Sequence, residues 1–214
     1  MTMETPMNRR LFLRAGAAMG AMALLPGCTS FLAKVDQPPN LFRLTPKSTF
    51  GDDLMPVPWQ LVVDQPYATA SINSARIALM HNPIQIEYYA RANWTDRAPD
   101  MVQGLIVESF ENSGLISSVG RQSAGLRSNF VLLPELREFQ AEYLNGTPPI
   151  AHIRINVKLI AMPDRVIVAN ESFDAEAQAT ADTVEDVVIA FDEALGRVLK
   201  NLVRWTLITG NQFI

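Results

Sequence analysis

The sequence predicts an α+β domain: a single antiparallel-rich mixed sheet with two main helices packed on it. Three observations predict it. Apolar and polar residues alternate from His152 to Ala161 and again from Phe173 to Ala179, the period of a sheet with one buried face. Two stretches, starting at Pro99 and Thr183, instead repeat apolar residues at helical spacing. The chain has 214 residues, of which 48% are hydrophobic and 19% charged, enough for one medium domain. No internal repeat or second linker divides it beyond residue 60.

Residues 1–27 read as an export signal. Arg9, Arg10 and Arg14 precede an uncharged run from Ala15 to Leu25. That run is too short to cross a bilayer core, which takes about 20 residues as a helix. It also lacks the polar residues at helical spacing that a buried amphipathic helix would carry. Within the basic segment, Arg9 and Arg10 followed by Leu11, Phe12 and Leu13 resemble a twin-arginine motif. The general secretory path remains the alternative route. Leu24-Leu25-Pro26-Gly27-Cys28 resembles a bacterial lipobox, departing from the usual pattern at Pro26. The resemblance makes Cys28 the lipid-bearing first residue of the mature chain, and Thr29 behind it points to the outer membrane. Cleavage there leaves a formal charge of -6 in place of -4.

Residues 28–40 read as a lipidated tether. From Thr29 to Asn40 it reaches at most roughly 40 Å when extended. Prolines at 38, 39, 46, 56, 58 and 66 argue against a continuous helix or a central strand, so this stretch reads as tether plus sheet edge. The domain then occupies 41–214. Its early strands are short: Leu41 to Thr45, Gln60 to Val63, Arg76 to Met80 and Gln85 to Arg91. A first helix opens at Pro99 with Asp100 in its first turn. It buries Val102, Leu105, Ile106 and Phe110, and stops near Gly114.

A further alternating run carries Phe139, Ala141 and Tyr143. The clearest strand follows, with Ile153, Ile155, Val157, Leu159 and Ala161 inward and His152, Arg154, Asn156 and Lys158 outward. Met162-Pro-Asp-Arg165 reads as a turn. Beyond it, Phe173, Ala175, Ala177 and Ala179 alternate with Asp174, Glu176 and Gln178. The hairpin is basic on one strand and acidic on the other, so opposite charges can pair across it. The last helix begins with Thr183 and Asp186 as a capping pair and runs through Val187, Phe191, Leu195, Val198 and Leu202. The tail from Trp205 to Ile214 either covers a sheet edge or docks on a neighbour.

Composition excludes several functions. A pI near 5.2 argues against a nucleic-acid binder, which needs concentrated Lys and Arg. One cysteine permits no internal disulfide, and two isolated histidines supply no zinc spacing, so no metal and no cofactor beyond the lipid on Cys28 are expected. There is no G-x-S-x-G elbow, phosphate-binding glycine loop or H-E-x-x-H. Gly120-Arg-Gln-Ser-Ala-Gly125 has the wrong spacing for a nucleophile elbow and reads as a loop. His81 and His152 read as exposed structural residues without a local carboxylate partner. Asp182, Glu185 and Asp186 read as charges at a helix N-terminus. No catalytic constellation assembles, so an enzyme is not expected. Of the adjacent Tyr88 and Tyr89, one should face the core and the other solvent.

The order of these features resembles the ABC-type transport auxiliary lipoproteins, the family of paraquat-inducible protein C-like components. The resemblance runs over residues 41 to about 205. It rests on the lipobox, Phe42-Arg-Leu-Thr-Pro46, Leu61-Val-Val63, and Ile77 leading into Ile86-Glu-Tyr-Tyr89. Ala92-Asn-Trp94, Pro99 opening a helix with Leu105, Phe110, Ser113 and Gly114, Val119, and the Leu132 to Phe139 strand follow in order. It implies a non-enzymatic protein anchored on the periplasmic face of the outer membrane. Its partner would be an MCE-domain protein of an ABC system for intermembrane lipid transport, and a homo-oligomeric ring is compatible with it. Cys28 carries over as the lipid attachment, and Tyr89 and Trp94 carry over as partner-contact candidates. Two other readings stay open: an assembly factor for another outer-membrane machine, and a periplasmic lipid-binding carrier with an apolar cavity.

Overall fold

A computed structural model describes residues 38–122 and 127–214. Arg9, Arg10, Phe12, Leu13, Cys28 and nearly all of the tether lie outside the described residues, as do residues 123–126 of the glycine-flanked serine loop. The domain from Pro39 to Ile214 is one compact unit. Its elements are β1 (Asn40–Phe42), β2 (Val57–Val63), β3 (Tyr67–Ala68), β4 (Arg76–Asn82), β5 (Gln85–Trp94), α1 (Ala98–Ser113), β6 (Ile116–Arg121), β7 (Phe130–Glu142), β8 (Ile150–Ala161), β9 (Val166–Gln178) and α2 (Val184–Gly210). The α+β class and the mixed sheet with two helices are as the alternation and helical spacing predict.

The sheet is organised on β7. Along one edge it pairs antiparallel with β8 from Phe130 to Glu142, and β8 pairs antiparallel with β9. Along its other edge β7 takes three parallel partners in succession: β2 at Phe130 to Leu132, β3 at Glu135 and Leu136, and β4 at Gln140 to Glu142. The sheet therefore forks. One branch continues from β2 to β6, and the other from β4 through β5 to β1. Phe139 and Ala141 belong to the same long strand as Leu132, so the two runs seen in the sequence are one element.

The proline-rich segment is not all tether and edge. β1 does lie at an edge, but β2 contains Pro58 and sits between β6 and β7. A central strand tolerates this proline because the β2–β6 register shifts between Val57 and Gln60, so Pro58 falls in the irregular stretch. Pro134 on β7 lies between the residues paired to β2 and those paired to β3.

Helix α1 has proline in its first turn and ends at Gly114, whose φ of 63° is the left-handed conformation that suits glycine. Thr183 caps α2, its hydroxyl accepting from the Asp186 N–H. The two helices touch each other, and α2 lies along β8 and β9. The centre of the core is an aromatic triangle: Trp94 of β5, Phe139 of β7 and Phe191 of α2, with ring centres 5.2–5.6 Å apart. The tail expected after Trp205 is helical to Gly210. Trp205 meets Phe173 of β9 edge-on at 5.8 Å, so this part of the tail covers the sheet.

Candidate functional site

β8 divides its side chains as alternation requires. Ile153, Ile155, Val157 and Leu159 are fully buried, whereas His152, Arg154 and Lys158 stand on the opposite face. Neighbouring strands add carboxylates beside the basic row. Register places His152 opposite Gln140 of β7 and Glu176 of β9, and Arg154 opposite Glu138 and Asp174. The expected pairing of opposite charges forms: Arg154 bonds Glu138 and approaches Asp174 at 3.9 Å.

His152 corrects the sequence reading. It is only 15% exposed in its side chain, and it has carboxylates at both nitrogens. Nδ1 lies 2.8 Å from Glu142, and Nε2 lies 3.3 Å from each oxygen of Asp174. Burial acts to lower its pKa, but the hydrogen bonds to Glu142 and Asp174 outweigh it, and the net shift is upward. Gln140, itself buried, holds Glu138 and Glu142 by donating at 2.8 and 2.9 Å. The partners were missed because they come from two other strands, β7 and β9: spacing along the chain is silent about neighbours across a ladder.

A second polar group ties the sheet to the start of α2. The Tyr143 hydroxyl donates to Asp182 at 2.7 Å, which leaves Tyr89 as the donor in the 2.9 Å Tyr89–Tyr143 bond. Burial pushes both phenols above their usual pKa, so they stay neutral hydrogen-bonding groups over the ordinary pH range. Asp182 thus has a tyrosine partner as well as its place before the helix. His81 is exposed, and its ring lies 4.6 Å from that of Tyr143.

The tyrosine pair does not divide into one core and one exposed ring. Both are half-buried. Tyr88 donates to the Ser71 carbonyl at 3.0 Å and lies under the Arg76 guanidinium at 3.7 Å, while Tyr89 bonds Tyr143. Trp94, the other partner-contact candidate, is 1% exposed inside the aromatic triangle and has no surface to offer a partner in this fold. Asp186 accepts from the hydroxyls of Thr180 and Thr183, which hold its carboxyl below the usual range.

A forked mixed sheet with its helices packed together, carrying a polar face on which His152 and Arg154 pair with carboxylates of the neighbouring strands, defines a sheet-and-helix module of the α+β class. The chain belongs to the family of ABC-type transport auxiliary lipoprotein components, whose model matches residues 45–203. A crystal structure of a Xanthomonas campestris protein of family DUF330 is 34% identical, with a TM-score of 0.78 over 81% of this chain and 98% of that one. A second crystal structure, of an uncharacterised protein, shares the fold at 14% identity, with a TM-score of 0.61 over 79% of this chain and 99% of that one. An uncharacterised protein of Bradyrhizobium diazoefficiens is 26% identical over 69% of this chain. The match spans 39% of that relative's length.

Proposed function

We propose that this chain is a non-enzymatic lipoprotein, held by an acylated Cys28 on the periplasmic face of the outer membrane. There it serves as the auxiliary component of an MCE-type ABC system that moves lipid between membranes. The observation that carries the reading is the order of two signals: a lipobox ending at Cys28, then a domain matched by the transport auxiliary family from residue 45. The lipobox supplies the anchor, the basic leader with its twin arginines the export route, and the family the connection to a transporter. The description of the family as a transport auxiliary component supports a non-enzymatic role. Among the described residues no helix is long and apolar enough to cross a membrane.

The test is mild crosslinking in the envelope, followed by detergent extraction and capture on a C-terminal tag. Mass spectrometry then reads both the captured partners and the N-terminal peptide. Recovery of an MCE-domain protein together with a diacylglyceryl Cys28 is the expected result. Recovery of an outer-membrane β-barrel without an MCE protein would favour an assembly factor, and co-purified phospholipid without either partner would favour a carrier. Native mass spectrometry of the same preparation reads the homo-oligomeric ring directly.

A further inference from the structure

We infer that His152, Asp174 and Glu176 form a divalent-cation site of zinc type on the strand face turned away from α2, with Glu142 orienting the imidazole from behind.

The first argument is the chemistry of the donor set. One ligand atom from each of the three residues can be chosen such that all lie within 4.8 Å of one another. An imidazole with two carboxylates suits zinc, which accepts His nitrogen and Asp or Glu oxygen and leaves a fourth position to water when only three protein ligands are present. The second argument is distance. With bonds of about 2.0–2.1 Å, ligand atoms at tetrahedral corners sit about 3.3–3.4 Å apart. Nε2 of His152 lies 3.3 Å from both oxygens of Asp174.

The third argument is orientation. Glu142 lies 2.8 Å from Nδ1 and is placed to accept that N–H, which leaves Nε2 as the ring nitrogen that faces Asp174. Metal-bound histidines very commonly donate their other N–H to a carboxylate in this way. Glu142 is itself gripped by Gln140, so the ring is held from the β7 side while both carboxylate ligands come from β9. Arg154 is the competing cation. Its guanidinium bonds Glu138 and pairs with Oδ2 of Asp174 at 3.9 Å without a hydrogen bond, so Asp174 is shared between Arg154 and His152.

The experiment is calorimetric titration of zinc chloride into the full lipidated chain in detergent, stripped by chelator and carrying no histidine tag. Calcium chloride is titrated in parallel. Expected are one zinc per chain, a loss of at least tenfold in affinity for His152→Ala and for Glu176→Gln, and a loss of about 10–100-fold for Glu142→Gln with the stoichiometry kept. The exposed Glu176 provides the informative variant if His152→Ala fails to fold. Absence of zinc binding would overturn the site. So would zinc binding that survives His152→Ala and Glu176→Gln, or calcium bound in preference to zinc.

Discussion

Two glycines of α2 show how far a residue's effect depends on its neighbours. At Gly210 an added methyl group would come 2.7 Å from the Trp59 ring, a flat, buried side chain of β2 that also packs edge-on against Phe130. At Gly196 it would meet nothing within 4 Å. Alanine is intrinsically better in a helix by about 1 kcal/mol at either position. We expect Gly196→Ala to raise stability by up to about 1 kcal/mol. Gly210→Ala should lower it by about 1–3 kcal/mol, because overpacking against a rigid ring outweighs propensity. Urea melts of the two variants read the opposite signs directly. Phe191→Ala should cost about 3–5 kcal/mol in the same measurement, since it opens the triangle with Trp94 and Phe139 at the centre of the core. A Phe191→Ala domain as stable as the parent would show that this triangle is not the structural centre.

The start of α2 ties stability to pH. Thr183→Ala should cost about 0.5–2 kcal/mol through the lost cap. Asp186 contributes separately, by accepting from Thr180 and Thr183. Because its folded pKa is lowered, the stabilisation is complete above the ordinary carboxyl range near about 4 and fades as pH falls through the folded value. The difference in Tm between the parent and Asp186→Asn should therefore be constant from neutral pH to about 5 and shrink below about 4. A gap that widens on acidification would contradict the sign. This cap was legible in the sequence, as were α1 between Pro99 and Gly114 and the β8–β9 hairpin, because each signal lies within a few residues. The alternation even demands an irregularity. The turn pairs Ala161 with Val166, whereas facing Ile153 to Ala175 requires a shift of one residue, and the ladder slips between Leu159 and Ile160. The parallel partners of β7 were not legible, since crossovers carry no local turn that sets their register. The carboxylates around His152 were hidden for the same reason: their strands had to be aligned before Glu142 and Asp174 could be seen as its neighbours.

At the scale of the whole molecule, charge decides what a membrane anchor must do. The chain from Cys28 onward carries a formal charge of -6. An anionic leaflet attracts basic segments, at roughly 1 kcal/mol for each Lys or Arg near its surface, and this composition gives no net attraction of that kind. A single acyl chain binds a membrane only marginally, whereas two or more hold it stably at about 0.8 kcal/mol for each buried methylene. The proposed attachment thus rests on the acylated cysteine with little help from the rest of the surface. Exchanging residues 1–28 for a leader cleaved before Thr29 should move the protein wholly into the soluble periplasmic fraction, while the melting curve of the domain stays unchanged. The parent should remain with the membranes through a high-salt wash, because methylene burial is not screened by salt whereas contacts between exposed charges are. Retention of the exchanged protein in the membrane pellet would mean that the domain itself, or a partner it binds there, supplies the attachment. Release by salt would assign that attachment to charge and not to lipid.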